Sequence, residues 1–214
     1  MESFRIGEAI KYGWEKFKAH FLFMWMLLGT AWGIAILFDL LQKGAGKETW
    51  LGGLIGLAAI VAGFILELGL IRAYLDLDKG TEDKIAVLFS EYRLVWRYFG
   101  AALLYGIMVV FGLILLIVPG VYLALKYQFF AYLIVDQNLG ILDALKQSSE
   151  MTRDIKWKFF GFVLAVCGLN ILGALALGIG LLVTIPVSIM AYVYVYRTLV
   201  NRGLPAVVPA APAV

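Results

Sequence analysis

The stretch FFGFVLAVCGLNILGALALGIGLLVTIPVSIMAYVYVY, residues 159–196, decides the fold. It holds 38 residues without one Asp, Glu, Lys or Arg. A single helix of that length would be roughly 57 Å long at 1.5 Å per residue. A hydrocarbon core is about 30 Å thick. The stretch therefore predicts two membrane-crossing helices, reversing at Gly178-Ile179-Gly180, where glycine permits a tight turn. Tyr98 to Val135 repeats the pattern: again 38 residues, with Lys126 as the single charge. Its expected reversal is at Pro119-Gly120. Phe21–Phe38 and Thr49–Leu66 supply two further apolar runs.

Working outward, the sequence predicts an all-α integral membrane protein. Six transmembrane helices near 21–41, 50–73, 98–118, 121–136, 158–177 and 181–199 form three hairpins in a single domain, residues 1–202. Residues 203–214, with Pro205, Pro209 and Pro212 among Ala and Val, read as a disordered tail. Composition agrees. Of 214 residues 63% are hydrophobic and 15% charged, and mean hydropathy is +0.90. A soluble domain carries roughly 25% charge, so a water-soluble monomer is excluded. The lone Cys167 leaves the redox compartment unread.

Charge placement predicts orientation. Fifteen of the eighteen Lys and Arg fall in the N-terminal segment, in 72–97, in 137–158 and at the C-terminal end. Only Lys43 and Lys47 fall in the other connections. By the positive-inside rule both termini are cytoplasmic, in a prokaryotic inner membrane. Acidic residues Glu2, Glu8 and Glu15 do not fit a signal peptide, so the first span reads as a retained anchor.

A cytoplasmic amphipathic helix is expected before each hairpin. In the first, Ile6, Ile10, Trp14 and Phe17 oppose Glu8, Lys11, Glu15 and Lys18. In the second, Thr81 caps a helix with Glu82 and Asp83 in its first turn and Ile85, Leu88, Phe89, Tyr92 and Trp96 on its apolar face. The third is Ile141–Thr152, with Ile141, Leu142 and Leu145 against Asp143, Lys146 and Glu150. These helices are expected in the headgroup region, with Trp14, Trp96 and Trp157 as an interfacial belt.

Ionisable groups inside spans are costly and mark candidate sites. Lys126 either meets a ligand or ion, or snorkels with Asp39 as its neutralising partner. Glu67 either carries a proton or bonds to another helix. Gln128 and Asn170 lie near mid-membrane, where amides usually bridge helices. Together with Lys126 and Glu67 they would line one polar cavity. Gly29/Gly33 and Gly52/Gly56 have close-packing spacing, Pro186 can kink the last span, and Tyr192 and Tyr196 share a face.

No catalytic, metal or cofactor motif is present: the only histidine is His20, and there is no HExxH, cysteine cluster or phosphate loop. The expected function is non-enzymatic, acting through helix packing, lipid contact or a membrane partner. The alternative is a small transporter or substrate-binding subunit. The expected partners are anionic headgroups, with a second copy or another membrane protein as further candidates, and no nucleic acid.

Ile6-Gly7-Glu8-Ala9, Tyr12-Gly13-Trp14, Val118-Pro119-Gly120-x-Tyr122, Val135-Asp136, Ala144-Leu145-x-x-Ser148, Trp157 and Tyr196-x-x-Leu199 run over nearly the whole chain. In these the chain resembles uncharacterised prokaryotic polytopic membrane proteins related to the membrane domain of some glycerophosphodiester phosphodiesterases. The resemblance implies a six-helix cell-membrane protein. It implies no phosphodiesterase activity, which needs paired histidines and several acidic ligands.

Reporter tags inserted after Lys47 and at the C-terminus are expected to report from opposite faces of the membrane; the same compartment for both would overturn the orientation.

Overall fold

The computed structural model describes residues 4–81, 84–176 and 178–202. Glu82, Asp83 and the proline-rich tail lie outside them. Among the described residues there are helices and turns but no strand: α1 (Ile6–Ala45), α2 (Trp50–Asp78), α3 (Val95–Leu115), α4 (Ile117–Tyr127), α5 (Phe130–Gln137), α6 (Ile141–Met151), α7 (Lys156–Leu175) and α8 (Leu181–Val200). Six helices, counting α4 with α5 as one, are long and apolar enough to cross a membrane. The chain divides into two compact units, one of residues 1–20 with 97–214 and one of residues 21–96.

The division falls within α1. His20 leaves helical geometry at φ −129° and ψ 27°, splitting α1 into two arms. In the first unit, the N-terminal arm is docked on protein through small residues. Ala9, Gly13 and Phe17 are buried, one helical turn apart. A Cβ at Gly13 would run into the Val187 carbonyl of α8. Phe4 meets Phe162 edge-on at 5.8 Å, and Tyr12 lies 5.1 Å from Tyr194. The face expected from Ile6, Ile10 and Trp14 is displaced by about one residue. Trp14 is exposed, because backbone contact through Gly13 sets the rotation of the helix.

The core of this unit is aromatic. Phe129, Phe159, Phe162 and Tyr196 are fully buried, with Phe129–Phe159 at 5.1 Å and Phe159–Phe162 at 5.9 Å between centroids. Such pairs contribute about 0.5–1.5 kcal/mol beyond area burial.

The break between α3 and α4 falls at Leu116, whose φ −166° and ψ 151° are extended, rather than at Pro119-Gly120. Pro119 sits in the first turn of α4, where its missing N–H leaves no bond unmade. Gly120 packs instead of turning: a Cβ on Gly112 would lie 2.9 Å from the Gly120 Cα. Between α7 and α8, Gly178 does adopt the left-handed conformation (φ 76°). Gly180 lies against Gly173, where a Cβ would approach to 2.6 Å. α8 continues through Pro186 without interruption.

In the second unit α2 packs against the segment that follows it. That segment forms two 3-10 turns, Ile85–Phe89 and Tyr92–Leu94, instead of one amphipathic helix. Thr81 does not start a helix; its hydroxyl donates to the Asp76 carbonyl and closes α2. Of the expected apolar face, Leu88 is fully buried, while Ile85, Phe89, Tyr92 and Trp96 are exposed. Gly69 explains the geometry: its bare Cα admits the Leu88 carbonyl directly against α2. Leu27, Leu66, Ala73 and Leu88 form this unit's buried cluster.

Gly69→Ala is therefore expected to lower stability by about 1–3 kcal/mol through overpacking. Gly53→Ala, where nothing lies within 4 Å, is expected to be neutral or slightly stabilising. Thermal unfolding of the two variants in detergent checks the contrast.

Candidate functional site

The first unit holds a polar stripe inside apolar surroundings. Thr184, Ser188, Tyr192 and Tyr196 recur every fourth residue on α8, so they share one face. Asn170 of α7 donates through Nδ2 to Ser188 Oγ at 3.0 Å and to the Val166 carbonyl at 3.0 Å. Ser188 donates back to the Thr184 carbonyl at 2.6 Å. Gln128 lies near Tyr192 of α8. Tyr196 donates to Asp136 Oδ2 at 3.0 Å, and Arg197 Nη1 reaches the same oxygen at 2.8 Å. The Asp136 side chain is only 9% exposed. Two atoms on the stripe, Asn170 Oδ1 and Thr184 Oγ1, are buried without a hydrogen-bond partner.

A second polar feature sits where α4 gives way to α5. Gln128 and Phe129 interrupt the helix, which opens backbone groups that an apolar environment cannot leave bare. α6 supplies the partners. Phe129 N–H donates to Ser148 Oγ at 3.1 Å. Ser148 Oγ and Thr152 Oγ1 donate to the Lys126 carbonyl at 3.2 and 3.0 Å. Ser148 and Thr152 are fully buried, and Gln147 is 3% exposed. Gln147 Nε2 donates to Gln137 Oε1 at 3.1 Å. The helix expected to float in the headgroup layer is thus packed on α4 and α5, with its polar residues turned inward. At the end of α5, Arg97 Nη1 holds Asn138 through Oδ1 at 2.8 Å, fixing a left-handed residue at φ 53°.

The expected site residues are distributed between the units. Lys126, Gln128 and Asn170 belong to the first unit, and Glu67 and Asp39 to the second. Gln128 and Asn170 converge on adjacent turns of α8. Asp39 pairs with Lys43 one turn along its own helix. Asp39 and Gln42 line a hollow of about 190 Å³ between α1 and α2. Glu67 is exposed. Lys126 Nζ lies 5.0 Å from the Tyr127 ring centroid.

Gly52 and Gly56 face the α1–α2 connection, with Gln42 Nε2 donating to the Gly52 carbonyl at 3.2 Å. Gly29 and Gly33 have nothing within 4 Å. Trp14, Trp96 and Trp157 are all exposed, Trp157 at 88%. Among the described residues no three His, Cys, Asp or Glu side chains stand where they could share a metal ion.

Asp136 and Ser148 stand in the sequence only as members of resemblance motifs, and Arg197, Thr152, Thr184 and Ser188 carry no site signal there. The signal for α8 was the four-residue spacing that already linked Tyr192 to Tyr196. Asp136 and Arg197 are 61 residues apart and read as ordinary charges at span ends.

Six helices long and apolar enough to cross a membrane suggest a multi-pass membrane protein. A family profile described as "Protein of unknown function (DUF975)" matches residues 54–203, and the chain belongs to that family. It is also 24% identical, over 250 aligned residues, to uncharacterized proteins of Mycobacterium bovis and of two Mycobacterium tuberculosis strains. The alignments cover 98% of this chain and 73% of each relative. No solved structure matches.

Removing one partner of a buried ion pair strands the other, typically at about 3–5 kcal/mol. Asp136→Leu alone is accordingly expected to destabilise the protein more than Asp136→Leu combined with Arg197→Met. A double-mutant cycle on thermal unfolding reads the difference.

Proposed function

We propose that this chain is a non-enzymatic integral protein of the prokaryotic inner membrane. It acts through helix packing, lipid contact or a membrane partner. Its helices are taken as three hairpins with both termini in the cytoplasm. What carries this reading is the fate of the polar groups inside the spans. Asn170 is engaged by Ser188, and Asp39 by Lys43. Groups committed to one another hold helices together. Large apolar side chains such as Trp50, Ile114 and Val118 are meanwhile more than three-quarters exposed, as lipid-facing surface requires. Membership of the family of unknown function matched over residues 54–203 supplies no chemistry to this reading.

A second reading, a small transporter with a polar intramembrane site, is favoured by one observation. Asn170 Oδ1 and Thr184 Oγ1 are buried acceptors without partners, and a polar solute or water would satisfy them.

Proteoliposomes carrying the full chain separate the two. On the packing reading they hold imposed proton and potassium gradients as empty vesicles do. Lys126→Met and Glu67→Gln then change thermal unfolding at most. Gradients that collapse with the wild type and persist with these variants would favour transport. Release of the chain from membranes by a carbonate wash would overturn both.

A further inference from the structure

The closure of the α4–α5 break has a consequence for charge. By bonding to the Lys126 carbonyl, Thr152 brings the α6–α7 connection alongside α4. Arg153 follows Thr152 directly, and Lys156 opens α7. Lys156 donates to the Tyr122 hydroxyl and lies 4.3 Å from the centre of that ring. Lys126 follows Tyr122 by one turn of α4, and Arg153 adjoins Thr152, which is bonded to the Lys126 carbonyl. Three cations from two segments of the chain thus gather near one phenol.

Among the described residues of the first unit, none of the three stands in an ion pair; Asp136, on α5, is taken by Arg197. The residues lining the adjoining open hollow, about 370 Å³, are Arg153, Asp154, Ile155, Lys156, Trp157 and Lys158, with one carboxylate among four charged side chains. The start of α7 adds to the imbalance. No side chain caps it, so its first N–H groups and its dipole present further positive character. Trp157, beside the cluster, is 88% exposed.

We propose that Lys126, Arg153, Lys156 and the Tyr122 hydroxyl, at the uncapped start of α7, bind the phosphate of an anionic phospholipid headgroup. Guanidinium and ammonium donors suit phosphate oxygens, and arginine can engage two at once. The exposed Trp157 indole suits the glycerol and upper acyl region of the same lipid. A free phosphate would use the cations but leave that indole without a role, which favours the lipid. The proposal rests on the lipid-contact reading above and assigns it a site.

Native mass spectrometry of the full chain, released from detergent with defined lipids, tests it. Phosphatidylglycerol is expected to remain bound under activation that strips phosphatidylcholine. Lys126→Met, and Arg153→Gln with Lys156→Gln, are expected to weaken phosphatidylglycerol retention by about tenfold or more, as loss of charge-assisted contacts implies. Lys11→Gln, on the N-terminal arm, is expected to leave it unchanged. Circular dichroism and thermal unfolding establish that each variant is folded. Should the double variant not fold, Tyr122→Phe together with Lys126→Met gives the readout.

Equal retention of both lipids, or undiminished retention by folded variants, would overturn the site. Displacement of phosphatidylglycerol by millimolar inorganic phosphate would show the cluster to be a free-phosphate site and overturn the lipid assignment. The underlying reading fails separately, if the wild-type chain leaves carbonate-washed membranes.

Discussion

The pair of hydroxyls that meets the open backbone at Lys126–Phe129 is the contact on which the rest of the first unit depends. A helix interrupted among apolar side chains exposes a carbonyl and an N–H that lipid cannot solvate, and each unpaired group would cost several kcal/mol. Ser148 and Thr152 satisfy them from α6. That requirement pulls α6 against α4 and α5 and buries Ser148, Thr152 and Gln147. It also fixes the start of α7, and with it Phe159 and Phe162 in the aromatic core. The same few bonds set Arg153 and Lys156 beside α4. Packing and surface charge in this unit therefore have a common origin.

α8 is the second organising element. Its stripe of Thr184, Ser188, Tyr192 and Tyr196 receives Asn170 at Ser188 and Asp136 at Tyr196. Individual interhelical hydrogen bonds contribute modestly, about 0.6 kcal/mol on average in measured cases. Their value here is register: each one matches a particular turn of α7 or α5 to a particular turn of α8. The opposite role, close approach without polar contact, falls to Gly13 against Val187 and Gly173 against Gly180. Small residues fix distance while polar residues fix rotation and translation. Membership of the DUF975 family adds no activity to this picture, so the function has to be argued from such contacts.

Legibility in the sequence followed range. Helix existence was readable from uninterrupted apolar length, and Gly178 from the need for a tight reversal. Break positions were harder. Pro119 looked like a terminator, yet the chain opens at Leu116, three residues earlier, because proline is comfortable in a helix's first turn. Amphipathic faces misled for a similar reason. In the segment 85–94 hydrophobic spacing suggested one helix, but a backbone contact at Gly69 imposed two 3-10 turns and left most of that face exposed. For the site, Gln128 and Asn170 were visible as polar residues in apolar runs. Their neighbours Tyr192 and Ser188 were not assignable, since nothing local pairs one helix turn with another.

The sequence by itself determined the solvent. With 63% hydrophobic residues and runs of 38 residues lacking or nearly lacking charge, only helices with internally satisfied backbones are possible, and their number follows from bilayer thickness. The tertiary structure alone decided which charges stand together. Lys126 reads in sequence as the single charge of a long apolar run; in the fold the Thr152 bond to its carbonyl and the Lys156 bond to Tyr122 bring Arg153 and Lys156 alongside its helix. Hydrophobicity is a property summed along the chain, whereas electrostatic partnership depends on distances of a few ångströms between residues far apart in it, and those distances exist only once α6 has closed the break in the helix beside it.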